Sequence, residues 1–140
     1  MTVVGLTFHK IVAERGPGDK GQIKISNNVI IDDVTKSNIT LGSQSQDGLK
    51  FSFVYKSAYD PDFGSIELSG TLVFLEEPQK TKEILAGWTK DKVLPPEVMK
   101  NTMNAILGRC NIQALLLSKE INLPPPVPLP KVNIETKPKK

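Results

Sequence analysis

The chain has 140 residues, 39% hydrophobic and 24% charged, with 18 Lys+Arg against 15 Asp+Glu and a net charge of +3. That length makes one domain the default and permits a core without staples, while a single cysteine excludes an internal disulfide and any Cys-based metal cage and fits a reducing compartment. Three lysines sit in the last four positions, Lys137-Pro138-Lys139-Lys140, so the body is near neutral and lacks the concentrated basic face of a nucleic-acid binder.

The opening Met1-Thr2-Val3-Val4-Gly5-Leu6 has neither a basic n-region nor a long apolar run, so it reads as neither signal peptide nor anchor. No run approaches the roughly 20 apolar residues of a membrane span. The expected compartment is the cytoplasm. Val3 to Ala13 is β-rich and predicts a first strand. Gly16-Pro17-Gly18-Asp19-Lys20-Gly21 then matches G-x-G-x-x-G in letters only. A dinucleotide fingerprint needs a helix next, and Gln22-Ile23-Lys24-Ile25-Ser26 alternates as a strand, so the stretch is expected to be a Gly-rich hairpin turn.

From Gln22 to Leu41 the alternation changes phase near Asn27-Asn28 and after Asp32-Asp33, which predicts one long bulged strand or two short ones. Gly42 to Gly48 reads as a turn. Leu49, Phe51, Phe53, Tyr55 and then Ile66, Leu68, Gly70, Leu72, Phe74 alternate with polar neighbours across an Asp60-Pro61-Asp62 turn, an antiparallel hairpin with one apolar face per strand. Gly70 in mid-strand marks a place where something bulky packs closely.

Pro78 to Lys90 predicts a short amphipathic helix with Ile84, Leu85 and Trp88 on one side. Pro95-Pro96 opens a long one, to Ser118, with an apolar stripe at Met99, Met103, Ile106, Leu107, Cys110, Ala114 and Leu117. At about 1.5 Å per residue this helix is roughly 34 Å long, close to the span of a ten-residue strand. Val98, Ile112 and Leu116 lie off the stripe and ask for another partner. Pro124 to Pro130 must be extended, and Leu123, Val127 and Leu129 favour a strap packed on the body over a docking peptide. The expected fold is α+β: an antiparallel sheet of four or more strands, a short and a long helix on one face, then the strap. Residues 1–132 form the expected single domain and 133–140 a disordered basic tail.

Chemistry is sparse. His9, the one histidine, falls out of phase with the buried positions of its strand, and Cys110 reads as a small buried apolar residue. Asp60, Asp62, Gly64 and Glu67 lack the spacing of a calcium loop. No catalytic residue, metal ligand or cofactor is assigned, and an enzyme is not expected. Trp88 stands evenly between plain core and the lining of a groove.

The second half of the chain, Gly64 to Val132, resembles the SecB family of export chaperones. The resemblance rests on the strand Ile66–Phe74, the Ile84-to-Trp88 helix, Leu94-Pro95-Pro96-Glu97, and Asn111-Ile112-Gln113-Ala114 leading to Ile121-Asn122-Leu123-Pro124-Pro125-Pro126. It implies an ATP-independent protein-transport chaperone that holds unfolded polypeptides in apolar grooves, built as a homotetramer, a dimer of dimers. The groove-lining candidates are Phe51, Phe53, Phe63, Ile84, Leu85, Trp88 and Leu94. That family presents acidic surface to the SecA motor; here Asp32, Asp33, Asp60, Asp62, Glu76 and Glu77 are the candidates, without a clear patch, and the tail is basic. An adaptor with one fixed protein partner is the alternative, with nucleic-acid binding third.

Overall fold

The computed structural model describes residues 2–18 and 21–127. Four strands, β1 (Thr2–Arg15), β2 (Lys24–Leu41), β3 (Gln44–Asp60) and β4 (Gly64–Leu75), precede two helices, α1 (Pro78–Asp91) and α2 (Pro96–Glu120). The strands form one antiparallel sheet in the order β1-β4-β3-β2, and both helices cover the same face. This is the α+β architecture that the order of apolar patterns predicts.

Residues directly opposite on paired strands share a face. Phe53 faces Gly70, and Gly70 faces Phe8; Phe51 faces Leu72, and Leu72 faces Leu6. The rings of Phe8 and Phe53 meet edge to face at 6.3 Å, so the Phe8 ring covers the space that glycine leaves. A Cβ at Gly70 would collide with the Thr7 carbonyl and the Phe8 backbone. A register shift between Phe8 and Lys10 brings them that close, as the isolated glycine in an apolar strand foretold. Phe51 and Phe74 make a second edge-to-face pair at 5.5 Å.

Two expectations need correction. The stretch from Gly16 is no hairpin turn, because β1 and β2 lie on opposite edges of the sheet. It starts a crossover along the end of β3 and β4, where the Gly16 and Gly18 amides donate to the carbonyls of Phe63 (2.9 Å) and Asp62 (2.7 Å). A Cβ at either glycine would strike the Asp62 backbone, so these glycines serve close approach, not reversal. Second, the turn after β2 is only Gly42-Ser43, with Leu41 opposite Gln44 and Gly42 at φ +65°. The polar run Gln44–Asp47 is strand, extending a hairpin beyond the core where no apolar alternation marks it. Of the two forms expected for β2, the long bulged strand is found: it is continuous with one irregularity, between Ile31 and Asp33.

The buried line of α2 also differs from the predicted stripe. It runs Thr102, Ile106, Cys110, Ala114, Ser118, while Met99, Met103, Leu107 and Leu117 flank it half-buried. Small side chains at four-residue steps let the helix sit close to the sheet. Thr102 and Ser118 disguise the line in sequence, because their hydroxyls score as solvent-facing; Ser118 Oγ donates to its own helix at Leu115 O, 2.8 Å. The end of α2 is closed by a left-handed Asn122 (φ 57°), with the Leu123 amide donating to Ser118 O at 2.8 Å and the Asn122 amide to Lys119 O at 3.4 Å, a Schellman closure.

Beyond it the chain crosses the end of the sheet, from β1 toward β2. Arg15 Nη1 donates to the carbonyl of Asn122 at 2.6 Å, the Tyr59 hydroxyl to Pro124 O at 2.6 Å and the Asn27 amide to Pro126 O at 2.8 Å. A proline run offers carbonyls and no N–H, and the sheet meets it with donors. Leu123 and Pro126 are buried, so through Val127 the strap packs on the body. Residues 128–140, including Leu129, Pro130 and the Lys137–Lys140 tail, lie outside the described residues.

Candidate peptide-binding surfaces

The seven groove candidates gather on the covered face of the sheet and beneath α1. Phe51, Phe53, Phe63, Ile84, Trp88 and Leu94 are buried, none more than 7% exposed, and Leu85 packs half-buried against them. In this arrangement they are core, because both helices close over them. Ile84 alone also touches a cleft, a cavity of about 280 Å³ between α1 and the start of α2 that Pro95, Val98, Asn101 and the carboxylate-bearing Glu83 and Glu97 help line.

The seat of α1 is shallow. It buries Thr81, Ile84 and Trp88, and Thr81 Oγ1 and Trp88 Nε1 have no hydrogen-bond partner among the described residues. Thr102 Oγ1, under α2, shares that condition. Each such group costs about 1–3 kcal/mol where it stays unpaired. Lys92, the left-handed residue that closes α1, places its ammonium over the Trp88 ring, 5.2 Å from its centroid.

Apolar side chains reach solvent at two other places. Val3, Val4 and Ile11 of β1 are 46–48% exposed. β1 is an edge strand, and its outer side pairs with no strand among the described residues. Val3 stands opposite Phe74 and Ile11 opposite Leu68, so both point to the helix-covered face yet stay about half exposed. The second place is the outer side of α2, where Ile112 is 60% and Leu116 55% exposed. Val98, the third of the residues off the predicted stripe, is half-buried. Sequence reasoning missed β1 as a surface, because its apolar residues read as core and only the packing leaves Val3 and Ile11 exposed.

The remaining candidates are dispersed. His9 Nε2 lies 3.1 Å from Thr71 Oγ1 on the open face of the sheet, with Lys10 paired to Glu67 beside it at 3.3 Å. The acidic residues fall in three places: Asp60 and Asp62 at the β3–β4 turn, Glu76 and Glu77 at the opposite end of β4, and Asp32 and Asp33 at the β2 irregularity. Among the described residues no group of three or more metal-binding side chains gathers, and no helix is long and apolar enough to cross a membrane. Burial pushes the Cys110 thiol and the Tyr59 phenol up to about 12, and raises Tyr55 as well. Arg109 beside Cys110 works against that rise, and Tyr55 beside Tyr59 adds to it. All three groups are thereby held neutral. The two phenols donate hydrogen bonds, Tyr55 to Asn111 Oδ1 at 3.5 Å and Tyr59 to the Pro124 carbonyl.

No family model and no curated protein matches the chain. Among solved structures it is similar to a SecB-like chaperone of Mycobacterium tuberculosis, in complex with a peptide from the HigA1 antitoxin. That match covers 99% of this chain and 92% of the other, at 10% sequence identity and a TM-score of 0.48. The likeness is a distant one and bears on no activity.

Proposed function

We propose that this chain is an ATP-independent holding protein of SecB type, which binds extended segments of unfolded polypeptides and works in the cytoplasm as a homo-oligomer. The observation that carries the reading is the β1 edge. An extended client segment can add there as a fifth strand, through main-chain hydrogen bonds that ignore sequence. Its apolar side chains cover Val3 and Ile11 and gain about 25 cal/mol for each Å² removed from water. A long edge with exposed apolar residues is otherwise an aggregation hazard, which gives it a meaning in a protein whose work is to bind loose chains.

The covered residues form a second layer of the same site. When α1 lifts from its shallow seat, Ile84, Leu85, Trp88 and Leu94 come free on the helix and its connection, and Phe51, Phe53 and Phe63 on the sheet and its turn. Self-association uses the outer side of α2, with Val98, Ile112 and Leu116 in the interface and a dimer of dimers as the assembly.

The test is dilution of a chemically unfolded client into buffer with a several-fold excess of this protein and no nucleotide. Light scattering from the client falls if the reading holds. Unchanged aggregation removes it. Capture of a single protein from a lysate, instead of many unrelated chains, transfers the surfaces to an adaptor with one partner.

A further inference from the structure

The strap after α2 buries its side chains at every third residue. Leu123 and Pro126 are buried, Pro124 and Val127 half-buried, Asn122 and Pro125 exposed. A strand would repeat every second residue. A period of three is that of polyproline II, which the run Pro124-Pro125-Pro126 favours.

The seat beneath the strap is a row across the end of the sheet. Arg15 of β1 stands opposite Gly64 of β4, Gly64 opposite Tyr59 of β3, and Tyr59 opposite Ile25 of β2. With strands about 4.8 Å apart the row is about 14 Å wide, and the four residue steps from Asn122 to Pro126 span about 12 Å as polyproline II. Recognition runs one way. Arg15, Tyr59 and Asn27 donate to the carbonyls of Asn122, Pro124 and Pro126, every second one along the strap. Asn27 is held by the sheet itself, since the fully buried Ser57 hydroxyl donates to its Oδ1 at 2.7 Å and leaves the amide for the strap. Leu123 packs on the bare backbone of Gly64, where a Cβ would stand 3.2 Å from its Cδ1.

We propose that this row is a polyproline II recognition site for a Leu-x-x-Pro segment of a partner protein, and that the chain's own strap occupies it as a built-in competitor. Each of the four strands supplies part of the seat, so the seat exists before any ligand arrives. It reads main-chain carbonyls and two side chains three residues apart, and every proline-rich segment with that spacing presents the same features. Prolines have no N–H to satisfy, and the seat offers only donors to the carbonyls. The strap shows what fits. Its tether to α2 gives it an effective concentration in the millimolar range, so a partner gains the site when the strap is loosened or outcompeted. The site is independent of client holding, which uses main-chain pairing along β1 and is blind to sequence.

The test uses a fluorescein-labelled peptide of the strap sequence, Leu-Pro-Pro-Pro-Val-Pro-Leu-Pro, and a control with aspartate for its first leucine. Pro125→Gly frees the strap backbone without removing a buried side chain, and fluorescence anisotropy should show the peptide binding this full-length variant about fivefold more tightly than the parent. Leu123→Ala, which empties the leucine seat, is the second loosened chain, and circular dichroism confirms that both fold. Tyr59→Phe added to either should weaken the peptide about tenfold. The control peptide should not bind. No binding to either loosened chain, a parent that binds as tightly as they do, or an affinity indifferent to Tyr59→Phe overturns the proposal. So does equal binding of the control, which would put the peptide on the β1 edge and leave the holding function standing.

Discussion

The Tyr59 hydroxyl donates to the Pro124 carbonyl across 2.6 Å, and that contact ties the strap after the last helix to the end of an inner strand of the sheet. Tyr59 is 1% exposed and belongs to β3, so a core residue holds a segment far from it in the chain. Tyr59→Phe keeps the ring and leaves the carbonyl without its donor. We expect a loss of about 1–2 kcal/mol, measured by urea denaturation, with proteolysis at the strap rising before global unfolding.

Gly70 and Gly108 are both glycines inside regular elements, and they are expected to respond oppositely to alanine. At Gly70 the added methyl runs into Thr7 and Phe8 of β1, and overpacking of this kind costs about 1–3 kcal/mol. At Gly108 nothing is met, and the monomer gains about 1 kcal/mol of helix propensity. Thermal melts of the two single variants should bracket the parent. Equal shifts would contradict the packing of β1 on β4.

Alkaline pH should weaken the fold. The Tyr59 phenol and Cys110 thiol rise to about 12 in the folded chain, from ordinary values of 10.0 and 9.0. Folded pKa values above the unfolded ones mean that the stabilisation is full below pH 9, where both groups keep their protons in either state. It declines as pH climbs through 9 and 10, because the unfolded chain loses protons first, and is gone by about 12. A urea midpoint that falls above pH 9, with Cys110→Ala delaying the onset, is the expected profile. The same burial predicts that Cys110 ignores thiol reagents until denaturant is added.

Ile11→Lys places a charge on the exposed apolar edge of β1 without entering the core. Client holding should fall several-fold, while the stability stays within about 0.5 kcal/mol of the parent's. Undiminished suppression of aggregation would move the client surface away from β1.

The elements that were legible in sequence are those whose physics is local. Alternation in Leu49–Tyr55 and Ile66–Phe74 gave the central hairpin, Pro95-Pro96 the start of α2, and the Gly70 gap the approach of a bulky neighbour. Strands before helices gave the α+β class. Even the unpartnered side of α2 was readable, since Ile112 and Leu116 break the apolar stripe one turn apart.

Tertiary structure alone decided which strands are neighbours. Nothing in Thr2–Arg15 or Lys24–Leu41 encodes their separation to opposite edges; β1 finds β4 by matching Leu6 and Phe8 to Leu72 and Gly70, a long-range fit invisible to any window of sequence. In that order β1 is an edge, and Val3 and Ile11 stay exposed on it. Packing likewise buries six of the seven aromatic and aliphatic candidates and half-buries Leu85, because periodicity tells which side of an element is apolar and only packing tells what covers it.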